Sequence, residues 1–414
     1  MNFISAIFGW LILLLGLALS IGLHELGHLL PAKKFGVKVT KYMIGFGPTI
    51  FSRKKGETEY GIKAIPLGGY IQMVGMLPPA SAERPLRGWK KLSASVRPSE
   101  PDDNYDEERA FYKLAPWKKL IVMFGGPFAN LLIALVLTFV LFCGFGAYER
   151  SNVIHDVVAC IPTDSNPNCD KVGEPSPAKV AGLQKGDKVL SFNGVKVEKW
   201  AQIENTITNS AGESVTLLIE RAGKTSSIKI TPAKLTLNGQ TRGYLGVYIE
   251  SVRFKQNPVE ATVTLGSMLS GTAEMIIQLP AQAVQAAAEL APRARRSDNG
   301  AISIIGMGQY SSQLVGSDQL SAEDKVLSQM ALLLGLNVAL FVFNMVPLVP
   351  LDGGHIAGAL YESAKRGVYR IRGKKLEKPV DTSQMMPVAY LVAALLLGLT
   401  VLLMLRDILN PVHF

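Results

Sequence analysis

His24, Glu25 and His28 stand at the spacing H-E-x-x-H. Residues four apart lie on one face of a helix, so both imidazoles can reach one metal ion. Glu25, one position on, is placed to take a proton from a water bound to that metal. The implied chemistry is attack of an activated water on a polarised bond. The setting is unusual, because residues 3–23 are almost wholly apolar and about as long as a bilayer core requires. Ionisable side chains in or beside such a span are costly and are usually functional. The competing reading is a chance match on a soluble helix, and the fusion to an apolar span weighs against it.

A second polar cluster lies far along the chain, in LNVALFVFNMVPLVPLDGGH, residues 336–355. Pro347 and Pro350 interrupt a helical ladder, and Gly353 and Gly354 let another backbone come close. Asp352 fits a third metal ligand, which leaves one position for water. His355, three residues on, is a rival for that role. Of the five histidines, His155 and His413 lie outside the apolar segments. Asn344 is placed to hydrogen-bond an extended substrate backbone, or equally a neighbouring helix.

These clusters need elements to hold them. Hydrophobic residues make up 48% of the 414, and mean hydropathy is +0.23. Four apolar segments, 3–23, 120–145, 330–349 and 387–405, each approach bilayer length. The expected fold is a multi-pass α-helical membrane protein with four transmembrane helices. Its parts are a first helix with H-E-x-x-H (1–36), a membrane-associated β-hairpin region (37–76) and a flexible cytoplasmic insert (77–116). A second helix (117–146), an extracytoplasmic domain (151–250) and an amphipathic membrane-surface connector (251–325) follow. A third helix with LDGG (326–356), a basic cytoplasmic loop (357–386) and a fourth helix (387–410) complete the chain.

Net charge is +10. In a membrane protein, excess Lys and Arg sets topology, and no basic helix or base-stacking motif points to a nucleic-acid partner. Residues 33–119 carry 17 Lys and Arg against 9 Asp and Glu. Lys365, Arg366, Arg370, Arg372, Lys374, Lys375 and Lys378 form a second cluster. The positive-inside rule puts both regions, and the active site, toward the cytoplasm, with 147–325 outside. The first apolar segment has no basic leader or small-residue cleavage site and reads as retained. Arg293, Arg295 and Arg296 are candidates for lipid headgroup contact, with a solvated turn as the alternative.

Residues 38–51 and 58–76 alternate β-formers with Gly and Pro and read as hairpins returning to the metal helix. Gly68 and Gly69 leave room for a second backbone, and Tyr70 and Ile71 begin an open edge for substrate. In GGPFANLL, residues 125–132, Asn130 is a polar side chain facing a neighbour, or plain helix packing. Outside the membrane, SPAKVAGLQKGDKVLSFNGVKV (176–197) is followed by a helix at 201–210 and strands at 215–221 and 227–231. This order resembles an α/β PDZ domain, which implies a peptide ligand held by strand addition. RGYLGVYI, 242–249, is similar to the carboxylate-loop strand of such domains, and its late position implies circular permutation. Cys160 and Cys169 flank a Pro- and Asn-rich turn and suggest a disulfide on an oxidising side, with free thiols as the alternative. Cys143 lies in an apolar run.

HELGH, GFGP, PLGGY, GGPFAN, a PDZ-like domain and NMVPLVPLDGG, in this order, resemble the site-2 protease family of intramembrane zinc metalloproteases. The likeness is to its bacterial RseP-like class, and the single PDZ-like domain and the cysteine loop look actinobacterial. The resemblance implies zinc held by His24, His28 and Asp352, with Glu25 as catalytic acid/base. It implies a hairpin that pairs with substrate, and a place in the bacterial inner (plasma) membrane. The implied substrates are single-pass membrane proteins already trimmed outside, such as anti-sigma factors in stress-response signalling or remnant signal peptides. A non-catalytic membrane PDZ scaffold is the rival, and a metal transporter a weaker third reading. The scaffold leaves three polar residues at metal spacing in lipid unexplained, and a transporter would want more acidic or His residues along a path.

Overall fold

A computed structural model describes residues 3–78, 106–162, 173–237, 240–290, 301–373 and 385–411. The chain divides into two units, Met1–Leu141 with Pro258–Phe414, and Phe142–Asn257. Among the described residues, four helices are long and apolar enough to cross a membrane: Ile7–Lys34, Pro116–Phe145, Ala322–Met345 and Met386–Leu409.

Helix α1 (Phe3–Lys34) runs unbroken through the H-E-x-x-H, eleven residues past the apolar segment read from sequence. Leu13, Leu17 and Ile21 are buried one turn apart, while Leu11, Leu15 and Leu19 are exposed on other faces. An apolar helix with one buried stripe suits a lipid-facing span. Strands β1 (Val39–Lys55) and β2 (Thr58–Met73) follow as an antiparallel pair with repeated register shifts. Tyr42 faces both Tyr60 and Ile71, and Ile44 faces both Ile62 and Gly69. The 41–44 stretch therefore lies between two stretches of β2. Ile65 faces Phe46 and Gly69 faces Ile44, so pairing skips Pro66, which has no N–H to give. Tyr42 Oη donates to Gly22 O at 2.7 Å and ties the pair to α1.

Residues 106–116, read from sequence as part of the flexible insert, are packed. Phe111 N–H bonds Val74 O and Tyr112 N–H bonds Gly75 O, each at 2.9 Å, with both side chains buried. Arg109 grips Glu57 with two bonds of 2.6 and 2.7 Å and holds its carboxyl below the usual range. Two aromatic anchors and a bidentate pair are a local order that composition alone does not reveal. Helix α2 (Pro116–Thr138) starts on Pro116, continues through Pro127 and ends in a π-helical turn, Phe139–Phe145.

The second unit contains β3 (Ala147–Val157), α3 (Pro177–Val180), β4 (Lys188–Phe192), β5 (Val195–Lys196), α4 (Ala201–Asn209), β6 (Val215–Arg221) and β7 (Lys224–Ile230). It closes with β8 (Ala233–Leu237), β9 (Gln240–Tyr244) and β10 (Val247–Phe254). The main sheet runs β10-β3-β4-β6-β7, with β5 beside β4, while β8 and β9 pair with each other. Asn193 and Gly194, both at positive φ, make the β4–β5 turn. Val189 and Phe192, on either side of a register shift in β4, and Leu217 and Ile219 of β6 are buried with Ile203 and Ile207 of α4 in one core. The stretch 242–249 is split at Gly246 (φ 83°) into β9, which pairs with β8, and β10, which pairs with β3. Cys160 is disulfide-bonded, and Cys169 lies outside the described residues.

The chain then returns to the first unit. Helices α5 (Pro258–Ile277) and α6 (Leu279–Ala288) precede Arg293, Arg295 and Arg296, which lie outside the described residues. Helix α7 (Ile304–Gly316) departs from the surface-connector reading. Its Gly306, Gly308, Ser311 and Ser312 are buried, Gly308 abuts the Trp10 ring, and Ser311 Oγ donates to Gly9 O at 2.7 Å. Small residues let this short helix sit directly on α1. Helix α8 (Ala322–Met345) is the third apolar span, and Asn337 Nδ2 reaches Ser20 Oγ of α1 at 3.0 Å. It ends before the LDGG run, and a new helix, α9 (Asp352–Ile371), begins there. The loop expected at 357–386 is therefore helical as far as Ile371, because Ala359 and Glu362 form a buried face. Helix α10 (Met386–Leu409) is anchored at its end, where Asp407 accepts from Ser303 N and Oγ at 2.7 Å each.

In the second unit, fully buried Asp187 accepts two bonds of 2.6 Å from Arg221 and one of 2.8 Å from Gln184 N–H. Burial raises its pKa, but these donors outweigh burial and hold the carboxyl below the usual range. A depressed carboxylate stabilises at neutral pH, and that contribution is lost as pH falls below about 4. Arg221→Ala should cost ~1–2 kcal/mol at pH 7 and flatten the loss of stability toward pH 3. Hydrogen exchange of β4 and β6 in the full chain at both pH values measures this.

Candidate active site

The late position of the H-E-x-x-H in α1 places His24, Glu25 and His28 where α1 meets α2 and β2. The two helices touch backbone to backbone: a Cβ at Gly27 would overlap Gly125 O, and one at Gly125 would overlap Gly27 O. A Cβ at Gly126 would overlap the His28 ring. Both histidines take their orientation from α2. His28 Nδ1 donates to Val122 O at 2.7 Å, so the proton sits on Nδ1 and Nε2 keeps its lone pair. His24 Nδ1 lies 3.0 Å from the Asn130 amide. With His24 Nε2 as a ligand, Nδ1 carries the proton and needs an acceptor. Asn130 Oδ1, buried without another partner, supplies one when the amide turns over.

Asp352, the first residue of α9, completes the group. His24 Nε2 and His28 Nε2 are 3.2 Å apart, and Asp352 Oδ2 is 3.3 Å from each. A tetrahedral centre with bonds of about 2.0–2.1 Å puts its ligand atoms about 3.3–3.4 Å apart. The triangle therefore fits one face of such a centre, and Asp352 Oδ2 has no hydrogen-bond donor to satisfy it otherwise. Two neutral imidazoles and one carboxylate suit a divalent borderline metal with an open fourth position. Glu25 stands beside the triangle, buried, and the Ile71 backbone N–H points to its carboxylate. A buried base next to a three-ligand metal position can activate water for hydrolysis.

Residues 12–388 match the model of Peptidase family M50. The chain belongs to this family. It is 30% identical to zinc metalloprotease Rip1 of Mycobacterium tuberculosis, over 98% of each chain. It is 28% identical to zinc metalloprotease RasP of Geobacillus kaustophilus, over 93% of this chain and 94% of the relative. Metalloprotease MmpA of Caulobacter vibrioides is 27% identical over 86% and 88%. The site-2 protease resemblance carried by the sequence motifs thus extends through nearly the whole chain.

In this M50 chain, the sequence-read ligands His24, His28 and Asp352 come together across α1 and α9. His355 does not join them and lines a cavity with Lys119 and Glu362 instead. Asn344, in the last turn of α8, gives its Nδ2 to Leu340 O at 2.9 Å. The room left by Gly69 is taken by Ile21 and Glu25 of α1, and that at Gly68 by the Phe46 ring. Gly69 thus lets β2 approach α1, while Gly68, at φ 144°, lies under a β1 ring. Val122 escaped the sequence reading, since only its carbonyl acts. Asn337, Lys119 and Glu362 escaped it too; the one signal that could have found them is a polar residue in or beside an apolar helix.

The glycine contacts set a test. Gly27→Ala and Gly126→Ala should each lower metal retained per purified chain at least tenfold, by pushing α2 from His28. Gly266→Ala, with nothing within 4 Å of its added carbon, should leave metal content unchanged.

Proposed function

We propose that this chain is an intramembrane zinc metalloprotease that hydrolyses peptide bonds in transmembrane segments of single-pass membrane proteins. The observation that carries the reading is the 3.2–3.3 Å triangle of His24 and His28 on apolar α1 and Asp352 at the start of α9, with buried Glu25 beside it. His24, His28 and Asp352 would hold zinc, which would supply Lewis-acid polarisation of the scissile carbonyl and a water nucleophilic near neutral pH. Glu25 accepts the proton of the attacking water and passes it to the leaving amine. Val122 O and Asn130 hold the imidazoles so that both Nε2 atoms face one point.

A helical peptide bond is shielded by its own ladder, so the substrate must unwind. The Tyr70–Ile71 edge of β2 holds the unwound strand through main-chain bonds, alongside Glu25, and Asn344 borders the same path. The second unit acts as a PDZ domain: Trp200, Ile207, Leu245 and Val247 line a groove for an extended chain end or a size check on substrates. The excess of Lys and Arg in the two basic regions supports an active site toward the cytoplasm, and the bonded Cys160 supports a second unit on the oxidising side, with Cys169 as its proposed partner. The substrates are trimmed single-pass proteins of the anti-sigma-factor or remnant signal-peptide kind.

Glu25→Gln keeps shape but removes the base. Zinc content should stay at the wild-type level while cleavage of a co-expressed single-pass substrate falls by about 10²–10⁴. Asp352→Ala should lose zinc by metal analysis, whereas His355→Ala should keep it. Normal turnover by Glu25→Gln rejects the assigned base.

Ile71 tests the hairpin. Ile71→Val should be nearly silent on two unrelated substrates, and Ile71→Pro should abolish cleavage of both with zinc retained. A milder strand perturbation, Tyr70→Gly, separates two roles through steady-state kinetics in detergent. A rise in KM supports the edge as a substrate dock, while a fall in kcat alone assigns the segment to holding Glu25.

A further inference from the structure

Asp352 reaches the two histidines only because α9 stands where it does, and α9 is held on α2 by a buried charge pair. Lys119 Nζ donates to Glu362 Oε2 at 2.8 Å, with the side chains 8% and 2% exposed. Glu362 Oε1 accepts from Arg366 at 2.6 Å. Lys119 shares a helical stripe with Val122, Gly126 and Asn130, the α2 residues that meet the histidines. Glu362 lies ten residues after Asp352, about 15 Å along α9. One helix thus carries the settings of all three ligands: two by direct contact, the third through this pair.

The other contacts of α9 near Asp352 are packing contacts. Gly353 and Gly354 lie so close to the backbone at 345–349 that a Cβ on either would overlap it. They fix how closely the first turn approaches, and Ile356 packs on the cluster of Leu29, Val122 and Met123, but apolar contacts carry no directed bond to fix rotation or axial position of the helix. A buried ion pair with directed bonds does. It adds little net stability, since an apolar pair of similar volume does as well or better. Its presence at this depth is explained by where it puts α9.

We propose that Lys119 and Glu362 are positioning residues for the third metal ligand, setting Asp352 against His24 and His28 through the placement of α9 on α2. This rests on the metal reading of the triangle. The test uses the full-length chain in detergent, with zinc dissociation constants from chelator competition and thermal unfolding of each metal-free protein. Lys119→Met and Glu362→Gln should each weaken zinc binding about 10–100-fold, the range for residues that orient ligands. Lys119→Arg, which keeps the charge, should stay within about threefold of wild type. The double variant Lys119→Met/Glu362→Met should regain thermal stability, because no buried charge is left unpaired, yet still bind zinc weakly. Wild-type zinc affinity in the double variant, or in both single variants, overturns the proposal. If His24→Ala binds zinc as well as wild type, the metal reading itself fails, a different result from loss of the pair's role.

Discussion

Two backbones touch where α1 crosses α2, and the active site is built on that contact. Gly27 and Gly125 leave no side chain between the helices. At that distance the His28 ring reaches past Gly126 to the Val122 carbonyl, and Asn130 reaches His24. Lipid tails are as apolar as the helix surfaces, so apolar burial gives little drive for association in a bilayer. Close packing and interhelical hydrogen bonds must supply it, and here the same bonds orient the ligands. The histidine protons go to α2, and both Nε2 atoms are left facing Asp352.

The second requirement is to keep polar groups satisfied in apolar surroundings. Asn337 bonds Ser20 across α8 and α1, Lys119 bonds Glu362 across α2 and α9, and Asp407 bonds Ser303 across α10 and α7. Each such pair joins two helices that are distant in sequence. An unpaired group at these depths costs several kcal/mol, so each bond also excludes other arrangements of the helices. Asp352 Oδ2 has no donor in this scheme, which supports its proposed place as a metal ligand.

Non-helical backbone at the site follows the same logic. The β1–β2 pair satisfies its own ladder and turns Ile71 N–H toward Glu25. Gly69 carries no side chain because α1 occupies that space. The hairpin and the metal helix form one assembly, so the base and the strand edge beside it hold a constant relation.

Sequence alone carried the chemistry of the site and the order of the four apolar spans. H-E-x-x-H on an apolar span and an Asp after a proline-broken span are local patterns, and charge cost in lipid gives each a meaning without coordinates. The strands 188–192 and 215–221 were equally legible, because period-two alternation and Asn-Gly turns are short-range signals. Residue pattern left His355 as a rival to Asp352, three residues on, and only the family resemblance favoured Asp352, because the choice depends on the rotation of α9 against α2. Nor did it show that 357–371 is helical or that α7 is interior, since charged and small residues take those roles only against particular neighbours. The Val122 carbonyl carries no side-chain signal at all. Tertiary structure decided these points because a ligand's orientation is set by whatever packs on its far side, and those partners lie up to several hundred residues away.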